Sequence, residues 1–105
     1  MAIGKKQFEV RQMTGASKAV VTVLGFDRKG IIAKVSGVLY ERGVNILDIS
    51  QTVLDGCFSM VLMADISEPI GSFTDLSDDL NALGEKLGLQ IRIQKSEIFE
   101  SMHQL

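Results

Sequence analysis

Cysteine, histidine, proline and tryptophan are almost missing from this sequence. Its 105 residues include one cysteine, one histidine, one proline and no tryptophan. The single Cys57 cannot form an internal disulfide, and Cys57 and His103 together are too few ligands for zinc or haem. A Ser-His-Asp or Cys-His catalytic centre could use only His103, which lies near the C-terminal end of the sequence. We therefore expect neither a metal nor another cofactor, and no enzymatic activity.

Long apolar runs and an excess of basic charge are missing as well. Every apolar run is far shorter than the ~18 residues that span a bilayer, and no apolar stretch precedes a cleavage site at the N-terminus. These absences predict a cytoplasmic protein without a membrane partner. The 11 basic and 13 acidic residues give a net charge of −2. Residues 1–17 are net positive, so the remainder is acidic and nucleic acid is not an expected partner.

The length and the apolar content of 46% are sufficient for one modest core, and therefore for one domain. We place this domain at residues 18–102, with residues 103–105 as a C-terminal tail. Residues 1–17 are polar and are interpreted as a flexible leader, an upstream start or a cloning remnant. The alternative is an edge strand within residues 5–13 that pairs in the domain or with a partner.

Local signals in the first half predict a strand, a helix and a second strand. Residues 19–24 are rich in β-branched side chains and almost continuously apolar, as in a central strand. Apolar residues then recur at helical spacing; Asp27 is expected to cap this helix and Gly43 to end it. The period next changes to two, which predicts a strand with one buried face. The apolar residues expected on that face are Leu47, Ile49 and Val53.

A hairpin turn, a second helix and a last strand are predicted for the second half. Asp55-Gly56 forms the turn and leads into a strand at residues 57–66. Ser72 is expected to cap the second helix and Gly88 to end it. Residues 89–95 alternate as a strand with one solvent-exposed face. A short helix beginning at Ser96 is a further expectation, with apolar residues Ile98, Phe99 and Met102.

The order of these elements is β-α-β followed, after the hairpin, by β-α-β. Right-handed crossovers leave a gap between the two parallel strands of each half, and interleaving the halves fills both gaps. The predicted fold is α+β and ferredoxin-like, with a four-stranded antiparallel sheet of order 4-1-3-2 and two helices on one face. Val61 and Met63 fall on the open face. Because monomers seldom expose apolar patches, we expect a homodimer or a higher homo-oligomer.

Such a fold does not decide a function by itself, but the residues argue against three. A metal carrier needs paired cysteines or histidines in the first loop, and an RNA-binding domain of this fold needs aromatic residues on the central strands. The sequence does not meet either requirement. An acylphosphatase needs an arginine cradle and a water-orienting asparagine. Here Arg28 stands alone in the first loop, and Asn45 begins the second strand instead of lying in that loop. We therefore do not expect the protein to hydrolyse an acyl phosphate. If it did, Arg28→Ala should abolish the activity.

Gly30 stands where the first helix begins. With no side chain at this position, the unpaired N–H groups of the first helical turn remain accessible, which favours a carboxylate or a phosphate as ligand. The bordering sequence is Gly-Phe-Asp-Arg-Lys-Gly-Ile-Ile at residues 25–32, and after the helix comes Glu-Arg-Gly-Val-Asn-Ile at residues 41–46. These two segments define the most specific pattern in the chain.

The two segments resemble the ACT domain, an amino-acid-sensing regulatory module with the pattern Asp-Arg-Pro-Gly-aliphatic and then Gly-aliphatic-Asn-Ile. The resemblance runs from about residue 18 to residue 102. Residues 48–55, Asp-Ile-Ser-Gln-Thr-Val-Leu-Asp, resemble small stand-alone ACT proteins of unassigned role, and the chain is also similar to ACT modules of the glycine-cleavage repressor group. Lys29 departs from the pattern, which usually has proline there.

The resemblance implies a ligand site at a dimer interface, where the first loop of one subunit meets the second strand of its neighbour. Carried over to this chain, the site residues are Asp27, Lys29, Gly30, Ile31, Asn45, Ile46 and Asp48. The N–H groups of Gly30 and Ile31 would hold an α-carboxylate, and the side-chain carbonyl of Asn45 would accept from an α-ammonium. Asp27 or Asp48 would supply negative charge.

A purely structural interpretation of the same residues stays open. Asp27 is then a helix cap, Gly30 a close-packing residue and Asn45 a turn residue bonded to backbone. In that case the chain is a protein-interaction or dimerisation module without a ligand. The sequence thus leaves two functions, an amino-acid sensor and an interaction module.

Overall fold

The structure, a computed structural model, describes residues 17–96. It contains four strands and two helices in the predicted βαββαβ order. They are β1 (Lys18–Phe26), α1 (Ile31–Glu41), β2 (Asn45–Leu54), β3 (Cys57–Asp65), α2 (Phe73–Leu87) and β4 (Gln90–Lys95). The strand expected within residues 5–13, the short helix expected after Ser96 and the tail with His103 lie outside the described residues.

The four strands form one antiparallel sheet in the order β2-β3-β1-β4. This is the predicted order 4-1-3-2, and it confirms the ferredoxin-like arrangement. β1 and β3 are the central strands, with Val21 opposite Leu62 in their register. Alternate residues along β3 are buried and exposed, as predicted for a sheet with one face packed against helices. The core therefore lies between the sheet and the two helices.

Each helix contributes one apolar stripe to this core. The stripe of α1 consists of Ile31, Val35 and Leu39, and that of α2 includes Leu76, Leu80 and Leu87; all six are buried. The facing side chains of β1 and β3 include Val21, Val23, Met60 and Leu62, which are at most 1% exposed. Helical spacing predicted one buried stripe on each helix, because each helix has a single buried face. At the start of α1, however, the sequence predicted Ile32 in the stripe with Ile31 beside it, whereas Ile31 is buried and Ile32 is half-buried.

The ends of the helices follow the sequence signals at three of four positions. Ser72 caps α2, since its hydroxyl accepts the Asp75 N–H at 3.0 Å while its own N–H donates to Asp75 Oδ2 at 3.1 Å. Gly88 ends that helix with φ 71°. Gly43 follows α1 with φ 69°, and its N–H donates to the Tyr40 carbonyl at 3.0 Å. Glycine takes this left-handed conformation at little cost.

The start of α1 corrects the prediction that Asp27 is the helix cap. The N-cap is Gly30, with φ 85°, and no side chain of residues 17–96 caps the first turn. The Asp27 backbone N–H instead donates to the Gly56 carbonyl at 2.9 Å, which ties the loop to the β2–β3 turn. Because glycine adopts φ > 0 readily, the chain enters the helix three residues later than an aspartate cap would require.

β2 corrects a second prediction, that of a buried face. None of its residues is buried; Ile49 is 40% exposed and Val53 is 52% exposed. β2 is an outer strand of the described sheet, and two helices are too few to cover all four strands. An irregularity between Ile46 and Asp48 also removes Leu47 from the alternation. The helix side of β2 is therefore accessible to solvent.

The face of the sheet opposite the helices carries exposed apolar side chains, as predicted from Val61 and Met63. Phe26 is 83% exposed and Leu54 is 74% exposed; both lie beside Cys57 in the strand register. Leu24 and Val61 are also exposed, whereas Met63 is half-buried. We name the exposed group of Leu24, Phe26, Leu54 and Val61 the open-face patch.

Candidate functional site

A pocket of about 390 Å³ lies between the β1–α1 loop and the hairpin of β2 and β3. This volume is at the small end of the ~300–1,000 Å³ that is common for small-molecule sites. The loop and the first turn of α1 contribute Asp27, Arg28, Gly30, Ile31, Ile32 and Ala33. The sheet contributes Gln51, Val53 and Phe58. We name this the loop pocket.

Backbone donors form one side of the loop pocket. The first intrahelical hydrogen bond of α1 joins the Lys34 N–H to the Gly30 carbonyl at 2.9 Å. The N–H groups of Ile31, Ile32 and Ala33 precede it and have no partner within the helix. Gly30 brings no side chain that could accept from them. This end of the helix carries a partial positive charge and suits a negatively charged group.

Side chains of both charges lie beside these donors. The Asp27 carboxylate has no hydrogen bond or ion pair with any residue of the described part of the chain. Arg28 Nη1 donates to the Leu87 carbonyl at 3.2 Å. That bond holds the loop against the last turn of α2, where carbonyl groups lack helical partners. The loop pocket therefore combines a positive and a negative group within two consecutive residues.

The sheet side of the loop pocket is mostly apolar. Val53 lies opposite Phe58 in the strand register, and both face the helix layer. Phe58 is 3% exposed, while Val53 is half-exposed because β2 extends beyond the helices. The Asp55-Gly56 turn sets this register, with φ 55° and 80° at its two residues. Gln51 adds an amide to the same wall.

The structure brings together only part of the site expected from the sequence. Asp27, Gly30 and Ile31 line the loop pocket, whereas Lys29 belongs to the same loop but does not line it. The expected strand residues lie elsewhere in the protomer, at the start of β2. They are Asn45, Ile46 and Asp48. The Asp48 carboxylate accepts the Ile49 N–H at 2.9 Å on the open face.

Sequence reasoning missed Gln51, Val53 and Phe58 as lining residues. Their signals were present: alternation in β2 puts Gln51 and Val53 on one face, and the Asp55-Gly56 turn sets Val53 opposite Phe58. What no local pattern indicates is that β2 extends beyond the helix layer. Among residues 17–96, no three potential ligand side chains are grouped for a metal ion. No helix in that range is long and apolar enough to span a membrane.

The sequence profile of the ACT domain matches residues 17–94. The chain belongs to the ACT domain family. Members of this family are typically regulatory, ligand-binding modules. The match confirms the resemblance that the two motif segments indicated, and its range includes all of the described fold except the last residue of β4.

Two other proteins resemble this chain along most of their length. A UPF0237 protein of Listeria innocua is 47% identical over 88 residues, which are 84% of this chain and 99% of that protein. An ACT domain protein from Streptococcus pneumoniae has 47% identity and a TM-score of 0.70, covering 81% of this chain and 96% of that one. Each match covers nearly the whole of the other protein.

A more distant structure shares the fold. A protein provisionally named as a glycine cleavage system transcriptional repressor has 24% identity and a TM-score of 0.65. The match covers 76% of this chain and 46% of that one. This match agrees with the resemblance to the glycine-cleavage repressor group. At 24% identity it shows a shared fold and nothing about function.

Proposed function

We propose that this ACT domain is a non-catalytic regulatory module of the cytoplasm that binds a small amino acid at a homodimer interface. The observation that carries the proposal is the loop pocket, where Asp27 and Arg28 provide both charges beside the unpaired N–H groups of α1. A free amino acid is a zwitterion, and a site with both charges close together is complementary to it.

The proposed binding mode follows from the positions of these groups. The α-carboxylate accepts hydrogen bonds from the N–H groups at Gly30 and Ile31, assisted by the remaining Arg28 donors. The α-ammonium donates to the Asp27 carboxylate, which has no partner among the described residues. The pocket volume of about 390 Å³ is sufficient for a small amino acid and a few waters.

The strand residues expected at the site enter this proposal through a second subunit. β2 is an outer strand of the described sheet, so two copies can pair their β2 strands about a twofold axis. Antiparallel pairing places the start of one β2 beside the end of the other. Asn45 and Ile46 of the partner subunit then approach Val53 at the rim of the loop pocket. Lys29 and the partner subunit's Asp48 would add charge around it.

A thermal-shift screen with the twenty amino acids tests the proposal. A ligand at about 100 times its dissociation constant stabilises the folded state by about 2.7 kcal/mol. We expect at least one amino acid to raise the melting temperature of the wild type and to raise it less in Asp27→Asn. A panel without any shift at millimolar concentrations contradicts amino-acid binding.

The open-face patch favours a second function, an interaction module without a ligand. Phe26 and Leu54 are the most exposed apolar side chains on this face, and such patches commonly mark protein interfaces. If this is the function, Phe26→Ser and Leu54→Ser together weaken self-association in sedimentation experiments, while no amino acid changes the melting temperature. Tyr40→Ser is the control, since Tyr40 is 82% exposed but lies on α1.

A further inference from the structure

The apolar wall of the loop pocket is accessible to solvent in the protomer. Val53 faces the helix layer but is 52% exposed. Ile32, on the first turn of α1, is half-buried and packs against the edge of the core. Phe58 closes the pocket from the sheet. A ligand in the pocket would therefore remove aliphatic and aromatic surface from water.

In the proposed binding mode, the charged groups of the pocket and the first N–H groups of α1 contact the main-chain part of the amino acid. Asp27, Arg28 and the first N–H groups of α1 lie on the loop side, while Val53 and Phe58 belong to the sheet side. An amino acid whose charged ends contact the loop directs its side chain toward this sheet wall. Gln51 is the one polar side chain there, and it is uncharged.

We propose that the bound amino acid carries an uncharged aliphatic side chain. This inference rests on the proposed function of the same pocket. An aliphatic side chain gains free energy by burying Val53 and Ile32. A charged side chain would lose hydration against the apolar part of that wall.

The sharpest probe is the pair L-valine and L-threonine, because the two have the same shape and differ by a methyl group and a hydroxyl. Apolar pockets discriminate against such a hydroxyl by about 10- to 100-fold. In calorimetric titrations of the wild-type protein we expect L-valine to bind at least about tenfold more tightly than L-threonine. Equal or tighter binding of L-threonine overturns the aliphatic assignment and leaves the sensor proposal standing. Absence of binding by any of the twenty amino acids overturns both.

Matched variants test whether the preference for L-valine over L-threonine depends on the sheet wall of the loop pocket. Val53→Thr keeps the shape of the wall but makes it polar, so the preference for L-valine should be largely lost. The control is Val61→Thr: Val61 is 46% exposed but lies on the opposite face of the sheet, so the preference should be unchanged. Both positions are partly exposed, and thermal melts will show that both variants fold. An unchanged preference in Val53→Thr overturns the proposal.

Discussion

Gly30 and Asn45 lie at opposite ends of α1. Gly30 is the N-cap of the helix, and Asn45 begins the strand that follows it. The 11 residues of α1 separate these ends by roughly 16 Å, at about 1.5 Å per residue. One subunit therefore cannot place both residues on the same small ligand. If both contact it, they come from two subunits, and the twofold pairing of β2 strands is an arrangement that allows this.

The uncapped start of α1 predicts that the Asp27 side chain contributes little to stability. Asp27→Ala should change the free energy of unfolding by less than about 0.5 kcal/mol, because its backbone bond to Gly56 is retained and its carboxylate is unpaired in the described chain. Ser72→Ala should cost about 1 kcal/mol, since it removes a side-chain cap. Urea denaturation of the two variants provides the comparison. If Asp27→Ala lowered the free energy of unfolding as much as Ser72→Ala does, Asp27 would be a helix cap after all.

Replacing each of two helical glycines by alanine should change the free energy of unfolding in opposite directions. Apart from its own helix backbone and chain neighbours, no atom of residues 17–96 lies within 4 Å of a Cβ at Gly37, so Gly37→Ala should stabilise the protein by about 0.5–1 kcal/mol. A Cβ at Gly84 comes within 2.8 Å of the Leu89 carbonyl oxygen. Gly84→Ala should therefore destabilise by about 1–3 kcal/mol. Equilibrium unfolding measures both. A destabilising Gly37→Ala would indicate a neighbour against α1, such as a second subunit.

The Ser72–Asp75 cap predicts a pH-dependent term in stability. The Ser72 N–H donates to Asp75 Oδ2 and holds the pKa of that carboxyl below its ordinary value. Because the pKa is lower in the folded than in the unfolded chain, this stabilisation is complete above the unfolded pKa of about 3.9. It is lost as the pH falls through the folded value. Asp75→Asn should therefore lower the melting temperature at neutral pH, and by less in acid.

The control for this pH experiment is Asp78→Asn, an exposed position on the same helix. The melting temperature of Asp78→Asn should differ little from that of the wild type. This difference should also change less with pH than the difference for Asp75→Asn. Melting curves between about pH 2.5 and pH 7 cover the window in which the Asp75 carboxyl titrates. If the melting-temperature difference between Asp75→Asn and the wild type stayed constant across that pH range, the Ser72–Asp75 cap would not be the source of a pH-dependent stabilisation.

The fold was predictable because most elements carry their own start or stop signal. Ser72, Gly88 and Gly43 act within one turn of the chain, so sequence alone locates the helix ends that they determine. Alternation in β3 likewise depends only on neighbouring residues and on one covered face. The strand order then follows from the handedness of the crossovers.

The candidate site was less predictable because it depends on contacts between distant parts of the chain. The Arg28 side chain reaches the Leu87 carbonyl, 59 residues away in sequence, and no local pattern indicates that bond. The exposure of Val53 depends on how far two helices reach across four strands. Asp27 was misassigned because a glycine in the left-handed conformation takes the N-cap position without leaving a side-chain signal.

The most direct test of an amino-acid site shared between two subunits is complementation between two variants that are each defective. Asp27→Ala damages the loop half of the site and Asn45→Ala the strand half, so each homodimer should bind the amino acid weakly. After the two are mixed and allowed to exchange subunits, the heterodimer contains one site with both halves intact. Our account predicts that calorimetric titration of the mixture recovers wild-type affinity at that site. A mixture that binds no better than its two components would contradict it.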